Sequence, residues 1–131
     1  MKKKIVAEKD IMEMVENPFI MKMYRTFQDH HYLYFLLKYI DGFDFYEFLR
    51  HVGTCDRKQT QFYSACLILA LEHLHTNNIV YRDLKPENTV LDQKGFLHLI
   101  DLGSAKVLGE ENGHRTFTVT GTPHYMAPEI L

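Results

Sequence analysis

The sequence lacks the features that mark secreted, zinc-binding or multidomain proteins. It contains only two cysteines and four prolines in 131 residues. Because Cys55 and Cys66 form no Cys-X-X-Cys pair, zinc binding is disfavoured, and we expect a reduced chain with an intracellular, cytoplasmic location. No Ser-, Gly- or Pro-rich linker interrupts the sequence. The sequence therefore predicts one domain or part of one.

Neither charge nor hydrophobicity is concentrated in one part of the chain. The 15 Lys and Arg residues are balanced by 17 Asp and Glu residues, so we expect no broad positive field and no nucleic-acid partner. The longest apolar run, residues 65–71, is far shorter than the roughly 20 residues that cross a bilayer. The apolar stretch after the first lysines covers three residues, which is too short for a secretory signal. We expect no membrane segment.

What remains is the composition of a globular domain, with 46% hydrophobic and 24% charged residues. Apolar periodicity predicts both helices and strands, and therefore an α+β fold. The predicted helices cover residues 5–16, 43–51 and 58–75. The predicted strands form an antiparallel hairpin over 19–27 and 31–39, followed by short strands over 79–80, 89–91 and 96–100.

Two further predictions concern packing and loops. On the long helix, the helical spacing predicts a buried face made of Phe62, Ala65, Leu69 and Leu74. From residue 103 to 128 the periodicity is lost, and glycines and prolines interrupt a polar stretch that is rich in threonine and histidine. A loop of this length in a compact domain is usually functional or mobile.

Three motifs follow one another in the second half of the chain. Tyr-Arg-Asp-Leu-Lys-Pro-Glu-Asn at 81–88 places a base, a cation and an amide oxygen in one loop after a strand. Asp-Leu-Gly at 101–103 ends a second strand, and Gly-Thr-Pro-His-Tyr-Met-Ala-Pro-Glu occupies 121–129. In this order the motifs resemble the catalytic loop, the metal-binding triplet and the Ala-Pro-Glu segment of eukaryotic protein kinases. The set is specific, whereas Asp-Leu-Gly alone would carry no information.

Smaller details resemble the cyclic-nucleotide-dependent kinases of the AGC group, and cGMP-dependent kinases in particular. They are Tyr81 in place of the more general His, the pair Glu8-Lys9 followed by Ile11-Met12, and the string at 121–129. The resemblance implies an incomplete protein-kinase-like fold. Residues 1–38 match the last part of the N-lobe (a helix plus a β-hairpin), 39–44 the hinge, and 45–131 the first half of the mainly helical C-lobe through the activation segment. Neither a glycine-rich loop nor a strand lysine precedes Glu8, so we expect little or no activity from these residues alone.

The resemblance implies transfer of a phosphoryl group from ATP, with Mg²⁺, to Ser or Thr residues of protein substrates. It assigns Asp83 to accepting the substrate hydroxyl proton and Lys85 to neutralising the γ-phosphate. Asn88 and Asp101 would supply oxygen ligands to Mg²⁺. The alternative for Asp83 and Asn88 is that they only cap turns, as many Asp and Asn residues do.

Further nucleotide-binding positions are also implied by the resemblance. Glu8 matches the helix glutamate that pairs with the ATP-anchoring lysine, although a surface pair with Lys4 would explain it equally well. Leu37 and Ile40 lie at the hinge, with Leu37 controlling the inner pocket, and Asp44 is placed for the ribose. Val90 is the remaining nucleotide contact. For the side chain of Leu37, an ordinary position in a core strand remains an alternative.

Thr118 matches the phosphorylation site of the activation loop. Arg82 and Lys106 match the cations that bind its phosphate, where charge-assisted hydrogen bonds would order the loop. The alternative is that Thr118 is a solvated threonine at a strand edge.

Two positions concern the protein substrate. Thr122 matches the residue that contacts the catalytic Asp and Lys and marks specificity for Ser and Thr. Glu87 and Asp44 resemble acidic residues that recognise basic side chains before the phosphoacceptor. The resemblance therefore favours a basophilic kinase.

Three hypotheses follow from the sequence. The first is a serine/threonine kinase, the second is a pseudokinase-like binding module without catalysis, and the third is a helical interaction protein with coincidental motifs. The first is favoured because a binding module has no need to keep Asp83, Lys85, Asn88 and Asp101 together.

Overall fold

A computed structural model of the chain describes residues 2–110 and 113–130. Within these residues it contains α-helices α1 (Lys2–Met14), α2 (Phe45–Val52) and α3 (Arg57–Thr76). The strands are β1 (Met23–Gln28), β2 (Leu33–Leu37), β3 (Gly42–Asp44), β4 (Ile79–Val80), β5 (Thr89–Asp92), β6 (Leu97–Leu99) and β7 (Lys106–Val107). Short 3-10 turns cover Pro86–Asn88, Pro123–Tyr125 and Pro128–Ile130. The predicted α+β class is confirmed.

The first third of the chain is a helix followed by a hairpin, as predicted. Helix α1 ends at Met14, two residues earlier than expected, because Pro18 has no backbone N–H to donate to Met14 O, four residues before it. The strands β1 and β2 pair antiparallel but are shorter than predicted. The segment before β1 bonds elsewhere, since Leu99 N–H donates to Phe19 O and Met21 N–H donates to Leu99 O, both at 2.8 Å. These bonds join the hairpin to the second half of the fold.

Helix α3 lies where the sequence predicts it, but its buried face is different. A capping box between Asp56 and Gln59 starts the helix, because each residue bonds the backbone N–H of the other. The buried residues are Cys66, Ala70 and Leu74. The prediction was right for Leu74 and wrong for Phe62, Ala65 and Leu69, all of which are exposed. Residues 65–71 are all apolar, so the sequence pattern did not distinguish one side of the helix from the other.

Two small antiparallel sheets frame the second half of the chain. Strands β3, β5 and β6 form one sheet in that order, and β4 pairs with β7 in the other. Strand β3 was not predicted. It lies against β5 so closely that a Cβ on Gly42 would collide with Leu91 O, which explains the glycine at this position.

The core consists of two adjacent clusters of buried side chains. The larger one joins α1, α3, β4, β6 and the segment after β6, and contains Ile11, Met12, Val15, Ile20, Met23, Ala70, Leu74, Ile79, Tyr81, Leu99, Leu102 and Ala105. The smaller one contains Phe45, Cys66, Leu91 and Leu97. Strands β5 and β6, which border the motifs at 81–88 and 101–103, are therefore anchored in the core. No described helix combines the length and apolar character needed to cross a bilayer.

Candidate active site

The motif at 81–88 forms the connection between β4 and β5. It begins with Tyr81, which is 2% exposed, and continues with Arg82 in a left-handed backbone conformation at φ 71°. It closes on the 3-10 turn Pro86–Asn88, in which Asn88 N–H donates to Lys85 O at 3.1 Å. The loop is therefore fixed at both ends, with the polar side chains of 83–88 between them.

Three side chains converge on the Asp83 carboxylate. Thr122 donates its hydroxyl to Asp83 Oδ1 at 2.7 Å, and Asn88 Nδ2 donates to Asp83 Oδ2 at 3.1 Å. Lys85 Nζ lies 3.2 Å from Asp83 Oδ2 and donates to Thr122 Oγ1 at 2.8 Å. Asp83 and Lys85 are mostly buried. An ionisable acceptor and a cation are thus held side by side, and Thr122 contacts both.

These contacts determine the charge of Asp83. Burial by itself would raise the pKa of this carboxyl, but the hydrogen bonds from Thr122, Lys85 and Asn88 outweigh it. The pKa of Asp83 therefore lies below its ordinary value, because the bonds stabilise the ionised form. At neutral pH the group is a carboxylate that can accept a proton.

Asn88 and Asp101 lie at the same edge of the β5–β6 pair. Thr89 is in register with Leu99, and Ile100 N–H donates to Asn88 O at 3.1 Å. Asn88 directs its amide N–H groups to Asp83 O and Asp83 Oδ2, so its amide oxygen is left for another partner. The ends of two adjacent strands therefore supply two oxygen atoms that can coordinate a cation.

This donor set suits a hard cation. Asp101 is exposed, and one of its oxygens accepts a hydrogen bond from Gly103 N–H at 2.7 Å. Mg²⁺ is typically held by one or two carboxylates together with phosphate oxygens and water. Within residues 2–110 and 113–130, no three His, Cys, Asp or Glu side chains are grouped for metal binding. Asn88 and Asp101 therefore fit a magnesium ion carried by a phosphate ligand better than a metal held by protein alone.

Tyr81 lies beneath these groups. Its hydroxyl is buried and has no hydrogen-bond partner among the described residues. Burial raises the pKa of Tyr81, and the negative charges of Asp101 and Asp83 raise it further. The nearby Asn88 side chain lowers this pKa, but by less. Tyr81 is therefore a neutral member of the core, and it forms the floor of the site.

Glu8 on α1 reaches the Asp-Leu-Gly segment. A Cβ placed on Gly103 would lie 3.4 Å from Glu8 Oε2 and 3.0 Å from Asp101 Oδ1. The glycine therefore lets the two carboxylates approach the same backbone. Leu102 is 2% exposed and packs in the larger core cluster, so leucine fills the position where most kinases have phenylalanine. The Lys4 side chain, the alternative partner of Glu8, lies outside the described residues.

The predicted nucleotide contacts are divided between two places. Asp44 and Val90 are partners in the β3–β5 pair, and Asp44 also caps α2 by accepting a hydrogen bond from Glu47 N–H at 3.1 Å. Leu37 ends β2 and is partly exposed, and Ile40 lies half-buried before β3. The structure thus brings Asp44 and Val90 together, with Ile40 four residues before Asp44.

Two predicted phosphate-binding cations flank the segment around Thr118. Arg82 Nε donates to Ser104 O at 2.7 Å, while its Nη1 is buried without a hydrogen-bond partner among the described residues. Arg82 and Thr118 line one groove of about 490 Å³. Lys106 Nζ donates to Thr116 Oγ1 at 3.1 Å, so in this structure its partner is Thr116 and not Thr118. Thr118 itself is exposed.

Other site features were missed at the sequence level. Gly121 has φ 129°, and a Cβ there would collide with Arg82 O; this glycine lets Thr122 reach Asp83. Sequence reasoning gave Gly121 a place in the motif at 121–129 and in the loop but no role in positioning Thr122, although a glycine directly before a predicted site residue was an available signal. Glu87, a predicted substrate contact, is exposed and lies in the 3-10 turn Pro86–Asn88.

Comparison with known proteins identifies the class to which this site belongs. A family model described as protein kinase domain matches residues 1–131. The chain therefore belongs to the protein kinase family, whose members generally use ATP and Mg²⁺. Its curated relatives include the "cGMP-dependent protein kinase" of Toxoplasma gondii, which is 47% identical over 127 residues that make up 97% of this chain and 12% of the relative. The predicted resemblance to cGMP-dependent kinases is confirmed.

Two further relatives carry related names. The "cGMP-dependent protein kinase" of Eimeria tenella is 48% identical over 127 residues, which make up 97% of this chain and 12% of that protein. The "cGMP-dependent protein kinase 2" of Homo sapiens is 45% identical over the same number of residues, 97% of this chain and 16% of that protein. The chain thus spans 12 to 16% of the length of these relatives.

Proposed function

We propose that this chain contains the catalytic centre of a serine/threonine kinase of the cGMP-dependent type, which transfers the γ-phosphoryl group of ATP to a hydroxyl of a protein substrate. The observation that carries the proposal is the Asp83 carboxylate, held by Thr122 at 2.7 Å with Lys85 beside it at 3.2 Å. In phosphoryl transfer, catalysis comes mainly from positioning and from charge placed around the phosphoryl oxygens. A fixed carboxylate next to a fixed cation supplies both.

Each residue has a role in this proposal. Asp83, ionised at neutral pH, accepts the proton of the substrate hydroxyl and aligns its oxygen. Lys85 places its positive charge where negative charge develops on the transferred group. Asn88 and Asp101 would hold Mg²⁺, which when bound offsets the charge of the phosphates. Thr122 fixes the distance between Asp83 and Lys85, because its one hydroxyl donates to the first and accepts from the second.

The nucleotide would lie on the side of the sheet that carries Asp44 and Val90. In this arrangement residues 1–38 are the last part of the N-lobe, 39–44 the hinge and 45–131 the first half of the C-lobe. Leu37 and Ile40 approach the adenine, and Glu8 is the residue that would pair with an anchoring lysine, which is not among these 131 residues. The two free cysteines are consistent with an intracellular location.

Two charged regions would bind the protein substrate and the phosphate on Thr118, whose addition is the proposed switch of activity. Glu87 and Asp44 lie at the exposed start of the 3-10 turn and of α2, where they would attract basic residues of the substrate. Phosphate on Thr118 would bring a charge of about −1.5 to −2 into the groove that Arg82 lines. Arg82 Nη1, which is buried and has no hydrogen-bond partner among the described residues, would turn toward such a phosphate, and Lys106 would exchange Thr116 for it.

The proposal can be tested in a chimera. Residues 1–131 would replace the matching segment of the Toxoplasma gondii relative, and phosphorylation of a basic peptide would be measured with and without Mg²⁺. We expect Mg²⁺-dependent transfer, while the 131 residues alone should be feeble. A folded chimera that binds MgATP but transfers no phosphate would instead favour the pseudokinase-like binding module.

The proposed switch needs its own experiment in the same chimera. Thr118→Ala should lower activity, and Arg82→Ala should remove most of the benefit of phosphorylation. Thr116→Ala serves as the matched control, since it removes a neighbouring hydroxyl and a contact of Lys106. Full activity of the Thr118→Ala variant, with Thr118 unmodified in active enzyme by mass spectrometry, would reject the switch.

A further inference from the structure

The turn between β5 and β6 is fixed by one carboxylate. Asp92 Oδ1 accepts hydrogen bonds from Lys94 N–H at 2.9 Å and from Phe96 N–H at 2.8 Å. Asp92 Oδ2 lies 2.9 Å from His98 Nε2, and since the carboxylate can only accept, the imidazole donates. The backbone closes the same turn, because Asp92 N–H donates to Phe96 O at 2.9 Å. Residues 92–98 are therefore a rigid unit.

This unit is supported by the protein interior. His98 is 7% exposed, and it stands in register with Val90 on β5. Burial opposes ionisation of Asp92, but the bonds from His98 and from the two backbone N–H groups outweigh it and lower the pKa of Asp92. A buried donor and an ionised acceptor make a stronger contact than two exposed groups would.

The rigid turn reaches across to the segment before β3. Gln93 Nε2 donates to Asp41 Oδ2 at 2.8 Å, and Gln93 N–H donates to Asp41 O at 3.1 Å. These residues are 52 positions apart in the sequence. The next residue, Gly42, already packs without clearance against Leu91 O. Residues 41 and 42 are thus held from two sides.

The held segment is bounded by predicted nucleotide contacts. Ile40 directly precedes Asp41, and Asp44 follows two residues after Gly42. Across the sheet, Asp44, Val90 and His98 lie in one row, since Asp44 pairs with Val90 and Val90 pairs with His98. A displacement of Asp41 would therefore move Ile40 and Asp44 relative to Val90.

We propose that Asp41 and Gln93 form a hinge clamp, a pair of positioning residues. The clamp holds residues 40–44 in the position relative to Val90 that the adenosine part of the nucleotide requires. The clamp rests on the proposed function, because it positions groups that would contact ATP. It is remote from the transfer chemistry, since the Asp83 network lies at the other end of β5. Loss of the clamp should therefore weaken adenosine binding without disturbing the groups around Asp83.

The test uses the chimera described above and two measurements. The first is amide hydrogen exchange of residues 40–44, and the second is affinity for adenosine and for MgATP by calorimetry. The variants are Gln93→Ala, Asp41→Ala and their combination. Lys94→Ala is the matched control, because its exposed side chain lies on the same turn and only its backbone N–H bonds Asp92.

We expect Gln93→Ala to speed exchange at residues 40–44 and to weaken adenosine binding, each about threefold to tenfold, as for the net loss of one ordinary hydrogen bond. The double variant should resemble the single ones, because both remove the same contact. Unchanged exchange in Gln93→Ala, or faster exchange with unchanged adenosine affinity, would overturn the clamp. An unsubstituted chimera that binds neither adenosine nor MgATP would overturn the proposed function, whereas one that binds both with the same affinity as its Gln93→Ala variant would overturn only the clamp.

Discussion

The region around the catalytic loop and the region after Gly113 are built in opposite ways. Residues 81–101 include many buried side chains, among them Tyr81, Asn88, Thr89, Leu91, Leu97, His98 and Leu99. Among residues 113–130, by contrast, none of the described side chains is buried, and Phe117 is 84% exposed. The first region is positioned by the hydrophobic core and the second by a few polar contacts. Groups that must keep a fixed geometry are thus placed on packed strands, while the segment that would meet the substrate and a phosphate is left loosely held.

Single threonine hydroxyls join residues 113–130 to the rest of the fold. Thr122 bonds Asp83 and Lys85, and Thr116 accepts a hydrogen bond from Lys106. Because each contact involves a single hydroxyl, small chemical changes at these threonines can alter how the second region docks on the first. This difference can be tested by variants that act on one region and spare the other.

The largest effect is expected from the acceptor in the packed region. In the chimera, Asp83→Asn should lower kcat about 10²- to 10⁴-fold while nucleotide affinity stays nearly unchanged, because the proton acceptor is lost. Asp101→Asn should instead weaken MgATP binding, since a charged ligand is removed from the metal site. Steady-state kinetics combined with calorimetry separates the two. Equal losses of nucleotide affinity in both variants would show that the roles are wrongly assigned.

Truncating a side chain in the packed region should cost much more unfolding free energy than truncating one in residues 113–130. Leu97 is fully buried in the smaller core cluster, so Leu97→Ala should lower the free energy of unfolding by about 2–5 kcal/mol. Phe117→Ala, the matched truncation in the exposed segment, should change it by less than about 0.5 kcal/mol. Urea unfolding of the 131-residue chain measures both. A comparable loss in the two variants would mean that residues 113–130 are packed after all.

The contact between the regions should have an intermediate effect. Thr122→Val keeps the shape but removes the hydroxyl, so Asp83 and Lys85 each lose one hydrogen bond while their mutual contact remains, at a cost of about 1–3 kcal/mol. Thr122→Ser should restore most of this, because it keeps the donor and the acceptor. Limited proteolysis within residues 113–121 reports the docking, and we expect faster cleavage in the valine variant only. Equal cleavage rates in wild type and Thr122→Val would remove Thr122 as the joining residue.

Acid should act mainly on the packed region, with the smallest effect. The folded-state pKa of Asp92 lies below its ordinary value of 3.8, so its ionised form stabilises the fold. This contribution is complete above the unfolded-state pKa and is lost as the pH falls through the lower, folded-state value. Asp92→Asn should therefore flatten the decline in unfolding free energy below about pH 4. A slope identical to that of wild type would contradict the role of this carboxylate.

The sequence predicted the parts of the site that are close together in the chain. Asp83, Lys85 and Asn88 fall within six residues, so the motif itself brings them into one loop. Helix α3 was predicted from its length and pattern, because a continuous apolar stretch is a local signal. Its buried face was not, since that depends on which side meets β6 and not on periodicity alone.

Contacts between distant segments were harder to foresee. The pairs Lys106–Thr116 and Gln93–Asp41 depend on how loops approach one another, and no local pattern encodes that approach. Strand β3 has only three residues and exists because β5 lies beside it. The approach of Thr122 to Asp83 was expected solely from the family resemblance, which supplied the tertiary information that single-sequence patterns lack.

Gly121 limits which sequences this loop can have. Its backbone has φ 129°, and a Cβ would meet Arg82 O, while Arg82 is itself in a left-handed conformation. Gly121 and Arg82, which lie next to each other in space, thus both have an unusual backbone conformation. At Gly121 there is no space for a side chain. In a saturation library of this chain, position 121 should accept glycine alone, whereas the neighbouring exposed positions should accept many residues. Random mutation can therefore change many exposed positions of this loop, but its backbone leaves no room for a side chain at position 121.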